Sequence, residues 1–380
     1  LAGIYLHIPF CKKACHYCDF HFSTSMGLKE EMVQAIVREL ELRQDYLQGQ
    51  HVQTVYFGGG TPSLLNQQEL QLLLATIKSL FIVSDDVEIT LEANPDDLTP
   101  QKLQELRAAG INRLSIGLQS FHGPHLQLMN RAHTAAESLR CVQDAQAAGF
   151  GNITVDLIYG IPAPDHSLWH QDLATLFSLG VQHASCYALT IEPDTVFGRW
   201  STKGKFKAPD DEFTAQQFET LLEQMQQHGF EQYEISNFCQ PGYESKHNGN
   251  YWRGVHYLGV GPSAHSFNGH SRQYNVAHNK KYIDALKQDQ VPFEVEELTL
   301  ADQANDHLLT TLRTSWGCDL HKLEQDFKYS IREAHAGYLQ ELQGKGLAII
   351  KNEVLYLTDK GKLLADQITL ELFIEKVEKA

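Results

Sequence analysis

Three cysteines, Cys11, Cys15 and Cys18, stand within eight residues in the spacing C-x3-C-x2-C, directly after the apolar, β-like run Ile4-Tyr-Leu-His-Ile8. A loop that short can turn three thiolates toward one point, as a cubane iron–sulfur cluster needs, yet it supplies only three of the four sulfurs that normally close a [4Fe–4S] site. One iron is left open. Tetrahedral zinc is the nearest competitor, but it wants a fourth ligand and usually a second cysteine knuckle, and none follows downstream. His16 could complete a site, although its place between two cysteines makes convergence on one metal awkward. Three unrelated buried thiols are the bland reading, and such tight spacing in a chain with only seven cysteines argues against it.

What must fold around this loop is a series of β/α units. Short β-branched runs near Ile4–Ile8, Thr54–Phe57, Glu88–Glu92, Arg113–Gly117, Asn152–Ile158 and His183–Ala188 alternate with amphipathic stretches over Lys29–Tyr46, Gln67–Leu80, Pro100–Ala109, Thr134–Ala148 and Ser167–Leu179. Thr99-Pro100 and Thr134 read as helix starts, and Gly110 and Gly149 as stops. Six such units predict an α/β fold with a parallel sheet; an open, partial TIM-like barrel and a doubly wound sheet fit the periodicity equally. In either, ligand-binding residues gather at the C-terminal ends of the strands. Gly58–Thr61, Glu92, Gln119 and Asp156 all stand there. The glycines let a backbone approach a ligand closely. Glu92 offers an acceptor for an ammonium or sulfonium group, Asp156 and Gln119 could bond a ribose, and Arg131 could pair with a carboxylate. Taken singly, each has a plainer explanation: a glycine run is usually a turn, a strand-end carboxylate a helix cap, and Asn94-Pro95-Asp96-Asp97 is turn chemistry.

Beyond Ile191 the composition turns polar, with Gly204 and Pro209 marking a boundary. Three parts are expected, 1–205, 206–294 and 295–380. The middle one carries a helix over Asp211–His228, a short strand at Tyr233–Ile235, and the segments Lys246-His247-Asn248-Gly249-Asn250-Tyr251-Trp252 and Gly259-Val-Gly-Pro-Ser-Ala-His265. An imidazole beside a Tyr–Trp pair could serve iron and a flat macrocycle, with His256 and His265 as weaker candidates. On spacing alone, the first segment reads as a packed aromatic turn with His247 bonded to backbone. The last part reads as helices followed by a hairpin, Leu347–Ile350 and Val354–Leu357 around Lys351-Asn352-Glu353, a winged-helix pattern placed as a structural lid over the barrel mouth.

A formal net charge of −16 argues against a nucleic-acid partner, since phosphate binding needs clustered Lys and Arg. No apolar run has the length of a membrane span, and the first residues are a strand leading into cysteines rather than a signal peptide, so the cytoplasm is expected. The remaining cysteines, Cys141, Cys186, Cys239 and Cys318, are scattered and read as buried thiols.

The cysteine spacing, with Tyr17 before the last cysteine, resembles the radical S-adenosylmethionine (SAM) superfamily. The flanks Tyr5-x-His7-x-Pro9-Phe10-Cys11 and Gly58-Gly59-Gly60-Thr61-Pro62 resemble its branch of oxygen-independent coproporphyrinogen III dehydrogenases and HemW-type haem chaperones. That resemblance implies a six-stranded partial barrel, a [4Fe–4S] cluster on Cys11, Cys15 and Cys18, and SAM on its open iron. Tyr5, Tyr17, Gly59, Gly60, Thr61, Glu92, Gln119, Arg131, Asp156 and Ala188 match the branch's SAM-contacting pattern. His247-Asn-x-x-Tyr-Trp252 matches a motif of the HemW-type proteins and implies haem at His247. The decarboxylating members resemble C-x3-C-x2-C-x-C and carry an N-terminal extension, whereas Phe20 holds the fourth cysteine's place here and the chain begins ten residues before Cys11. The resemblance therefore implies a haem chaperone, with porphyrinogen decarboxylation as the alternative. It also implies an acceptor haemoprotein, an electron donor for the cluster, and peripheral membrane contact through the acceptor. It assigns no catalytic side chain.

Overall fold

The computed structural model describes residues 1–374, so the end of the expected C-terminal part, 375–380, lies outside the described residues. Six parallel strands follow one another in space as in sequence: β1 (Ala2–Ile8), β2 (Val52–Gly59), β3 (Val83–Ala93), β4 (Arg113–Gln119), β5 (Ile153–Tyr159) and β6 (His183–Ala188). One face of each is apolar. Ile4, Leu6, Val55, Phe57, Ile89, Leu91, Leu114, Ile116, Val155 and Leu157 are buried in one core with helix residues such as Ile36, Leu40, Leu73, Ile77 and Leu106. Because strand side chains alternate, the opposite face carries Thr54, Tyr56, Glu88, Thr90, Glu92, Arg113, Ser115, Thr154, Asp156, His183 and Ser185. The partial barrel is thus apolar outside, under its helices, and polar within.

The helix starts are built as their sequences require. Asn66 and Thr134 each form a capping box with the glutamate three residues on, and Thr99 accepts from the Lys102 N–H. Gly110 takes the left-handed conformation that closes its helix, with φ +103°. The first helix stops at Leu42 rather than running to Tyr46; just past its end, Arg43 sets its guanidinium on the buried Glu39 carboxylate at 3.1 Å and the Gly259 carbonyl at 3.2 Å.

The stretch 206–294 is α+β and extends the same sheet. β7 (Glu231–Glu234) and β8 (Asn237–Cys239) add antiparallel beside β6, while β9 (His256–Val260) adds parallel to β1, followed by β10 (His265–Phe267), β11 (Ser271–Asn275) and β12 (Phe293–Glu297). Twelve strands result, in an open sheet that ends on β12 and β7. Among the described residues a second core, with Leu308, Leu323, Leu342, Leu355 and Ile368 at its centre, belongs to the C-terminal part. There β13 (Cys318–Asp319), β14 (Ala348–Lys351) and β15 (Val354–Leu357) form a small sheet against helices, in the winged-helix manner. The hairpin turn sits on Asn352 and Glu353, both at positive φ. No helix among the described residues is long and apolar enough to cross a membrane.

Candidate functional site

The C-terminal ends of β1 to β6 open into a cavity of about 790 Å³. The three cysteines and every residue matched to the SAM pattern except Tyr5 line it; Gly58 and His247 do not.

The cysteine loop is tied down on both flanks. Cys11 N–H donates to the Ser23 carbonyl at 3.0 Å and Ser23 N–H to the Pro9 carbonyl at 2.9 Å, closing the loop at its base. Lys12 pairs with Asp96 at 2.7 Å and with Asp97, so the turn after β3 holds the loop from one side. His16 holds it from the other: Nδ1 bonds the Leu128 carbonyl at 2.8 Å, and the ring stands edge-on to Trp200 with centroids 4.7 Å apart. His16 is therefore an anchor and not a fourth ligand. The thiols themselves face the cavity. Burial pushes the Cys18 thiol up to about 12 and also raises Cys11, so a metal that takes these sulfurs displaces protons from them. Among the described residues no three His, Cys, Asp or Glu side chains converge on the coordination sphere of a single ion.

A chain of polar contacts runs behind the thiols. Thr61 donates to Cys11 Sγ at 3.4 Å and accepts from Asn94 Nδ2 at 3.2 Å; Asn94 Oδ1 accepts from Arg131 Nη2 at 2.7 Å. Arg131 Nη1 then reaches Cys15 Sγ and the Tyr17 hydroxyl, both at 3.3 Å, while Nη2 also bonds the Gly117 carbonyl at 2.7 Å. Arg131 thus holds a fixed cation beside the Cys15 sulfur and the Tyr17 hydroxyl. Asn94 is a site residue that the sequence pattern hides, because Asn94-Pro95-Asp96-Asp97 reads as turn chemistry. Its position immediately after Glu92-Ala93, at the end of a strand on the ligand-bearing edge, was the available signal.

Deeper in the barrel, Glu92 accepts from the Tyr56 hydroxyl at 2.9 Å and from Gly59 N–H at 3.2 Å. Burial raises its pKa to about 7, and burial likewise raises Asp156 to about 6. Two desolvated carboxylates facing one space await a cationic ligand. Gln119 is aimed inward by a register shift between β4 and β5 and holds φ +68°, strain of a kind that persists where the surroundings over-determine it. Gly58, Gly59 and Gly60 are needed for a packing reason: a Cβ would meet Tyr5 and Glu92 at Gly58, the His7 ring at Gly59, and the Phe10 and Ile8 carbonyls at Gly60. A loop of three inward thiols, a cation beside them and paired carboxylates below is a donor set that fits a cubane cluster with an amino-acid sulfonium ligand.

His247 does not line this cavity. The segment Lys246–Trp252 is helical and plugs the opposite, N-terminal end of the barrel. His247 Nδ1 is engaged with Thr54 Oγ1 at 2.8 Å, its ring lies on Tyr56 with centroids 4.9 Å apart, and a Cβ at Gly3 would approach it within 3.3 Å. The ring is thus committed through Nδ1 and through its stacking on Tyr56. The His247 backbone N–H bonds the Glu88 carboxylate at 3.1 Å. Tyr5 stands between these layers, its ring 6.1 Å from Tyr56. Neither His256 nor His265 lines the cavity.

Fold and site together define a radical SAM protein, and the comparisons agree. Residues 5–170 match the model of the radical SAM superfamily, and residues 298–364 that of the HemN C-terminal domain. The heme chaperone HemW of Bacillus subtilis is 35% identical over 97% of this chain and 98% of its own, and that of Mycobacterium tuberculosis 35% over 97% and 94%. The mitochondrial radical S-adenosyl methionine domain-containing protein 1 of Bos taurus is 32% identical over 98% of this chain and 87% of its own. Coproporphyrinogen III oxidase (HemN) from Escherichia coli superposes with a TM-score of 0.83, covering 98% of this chain and 90% of that one, at 24% identity. The chain belongs to the HemW family of the radical SAM superfamily. Membership implies a [4Fe–4S] cluster and SAM.

Proposed function

We propose that this protein holds a [4Fe–4S] cluster on Cys11, Cys15 and Cys18, binds SAM at the remaining iron, and carries haem in the outer part of the same cavity for delivery to an acceptor haemoprotein. In this reading Glu92 takes the SAM ammonium, Arg131 and Gln119 its carboxylate and methionyl part, and Asp156 its ribose, with Gly59, Gly60, Thr61, Tyr17 and Ala188 as walls. The cluster, once reduced, supplies an electron to a sulfonium; the side chains described above bind, orient and exclude water.

One observation carries the haem part. Where a decarboxylating relative is expected to hold a fourth cysteine, Phe20 stands at the cavity with 67% of its surface exposed. The C-terminal part contributes the exposed Leu363 and Leu364 to the same lining, together with Lys13 and Lys362. Exposed apolar side chains together with cationic ends suit a flat apolar ring bearing carboxylates. The HemW relatives, named as haem chaperones, support the same reading. Porphyrinogen oxidation is the second reading, favoured by the superposition on HemN. The proposal includes a one-electron donor, membrane contact only through an acceptor, and a cytoplasmic setting.

Haem titration into wild type, Phe20→Ser and Leu364→Ser tests it: each variant is expected to bind about tenfold more weakly, the cost of losing one buried apolar contact. Unchanged affinity in both would remove haem from the cavity. Anaerobic incubation with coproporphyrinogen III, SAM and reductant is expected to leave the porphyrinogen intact, and protoporphyrinogen formation would replace the chaperone reading with the enzymatic one.

A further inference from the structure

The His-Asn-x-x-Tyr-Trp segment is left without a role once His247 is seen inside the barrel. Its contacts supply one. Glu92, one of the carboxylates lining the cavity, is oriented by the Tyr56 hydroxyl at 2.9 Å. Tyr56 in turn lies on the His247 ring, at 4.9 Å and 26°. Tyr5 completes the stack, 6.1 Å from Tyr56 and 6.4 Å from His247, with interplanar angles of 25° and 27°. These are offset-stacking distances for aromatic pairs. His247 cannot drift, because Thr54 bonds its Nδ1 at 2.8 Å and Glu88 accepts from the backbone N–H groups of Lys246 and His247 at 3.2 and 3.1 Å. Ser245 caps the same turn at Asn248 N–H, 3.4 Å away. At its other end this short helix lays Trp252 against the Arg313 guanidinium, 5.5 Å from the ring centroid.

We infer that this helix is the floor of the SAM site, and that His247 and Tyr56 are positioning residues: His247 is the plate on which Tyr56 rests, and Tyr56 fixes the Glu92 carboxylate toward the cavity. Neither touches the ligand. The geometry needs an uncharged aromatic plate at this position, and the enclosed ring is one: burial lowers the His247 pKa to about 3, so it is neutral at physiological pH. The inference rests on SAM binding at the mouth as proposed above, and it separates the helix from haem.

The test measures two affinities on the full-length, anaerobically reconstituted protein, SAM by equilibrium dialysis and haem by absorbance titration, and one property of the cluster-free protein, the pH at which the infrared carboxyl band of Glu92 disappears. Tyr56→Phe keeps the ring and removes the donor; SAM affinity is expected to fall about tenfold, as for a lost hydrogen bond to a charged group, and the carboxyl band to persist to higher pH. Infrared assignment uses Glu92→Gln. His247→Leu removes the plate and is expected to weaken SAM about fivefold, while His247→Phe, which restores an aromatic surface, returns to within about twofold. Haem affinity is expected to stay at the wild-type value in all three. Should His247→Leu fail to fold, the phenylalanine variants carry the test. Loss of haem binding with SAM affinity intact in the His247 variants would overturn the inference, as would SAM affinity indifferent to Tyr56→Phe. Wild-type protein that binds no SAM would instead sink the parent reading, and this inference with it.

Discussion

Asn94 does more for the site than its side chain's size implies. It joins Thr61, which faces Cys11, to Arg131, which faces Cys15, so one amide keeps two sulfur neighbours in register. Asn94→Ala leaves the buried guanidinium short of an acceptor, and the expected outcome is cluster loss to an iron chelator about tenfold faster than wild type, followed as decay of visible absorbance. Arg131→Lys should behave similarly, since an ammonium cannot span Asn94, the Gly117 carbonyl and the Tyr17–Cys15 pair together. The paired carboxylates give a pH dependence of definite sign. Glu92 sits at about 7 against an ordinary 4.5, so the folded, cluster-free protein holds its proton more tightly than the unfolded chain. The stability this contributes is complete below pH 4.5 and is lost as pH rises through 7. Glu92→Gln should therefore flatten the fall in urea midpoint across that window. SAM affinity should move oppositely, strengthening from pH 6 to 8 as the carboxylate ionises to meet the ammonium, and a pH-independent affinity would exclude Glu92 as its partner.

At the scale of elements, β1 to β6 and the long helices between them were legible because their apolar residues repeat with the right period and their caps are explicit. The same strands hold a clue to the barrel in Glu-Ile-Thr-Leu-Glu92 and Arg-Leu-Ser-Ile-Gly117: a parallel sheet covered on both faces reads as unbroken apolar runs, whereas these alternate, as strands with a polar interior must. The elements from β9 to β12 were not legible. β12 is exposed throughout and carries Glu294, Glu296 and Glu297, the charged pattern of an edge strand, and its Phe293–Val295 alternation is too short to announce a strand. The helix Lys246–Trp252 was hidden for a different reason. Its place is set by Glu88, Thr54 and Tyr56, far away in sequence, so the motif showed its residue types but not that His247 packs on Thr54 and Tyr56 while Tyr251 stays exposed. Most cavity-lining residues expected beyond the cysteine loop came from strand ends, which local pattern fixes; Arg131 lies in a loop, and the C-terminal wall of Leu363 and Leu364 depends on tertiary packing.

Among the described residues the barrel core and the C-terminal core are joined near the mouth. Ile235 N–H bonds the Arg313 carbonyl at 3.0 Å, Ser315 N–H bonds the Tyr233 carbonyl at 3.1 Å, and Arg313 bridges Glu234 and Asp366 at 3.2 and 2.8 Å. The C-terminal part thereby supplies a wall of the cavity while burying its own apolar side chains separately. Leu323→Ala, a deletion inside that second core, should cost about 3 kcal/mol locally and split thermal unfolding into two steps, the earlier one weakening haem more than SAM; a single shifted transition would show that the cores unfold as one. The central claim concerns the first core. Electron paramagnetic resonance of the anaerobically reconstituted, dithionite-reduced protein, recorded with and without SAM, tests it most directly. A reduced [4Fe–4S] signal whose g-values change when SAM is added, and which disappears in Cys15→Ala, is the predicted result. A signal indifferent to SAM, or protein that takes up zinc in place of a cluster, would contradict it.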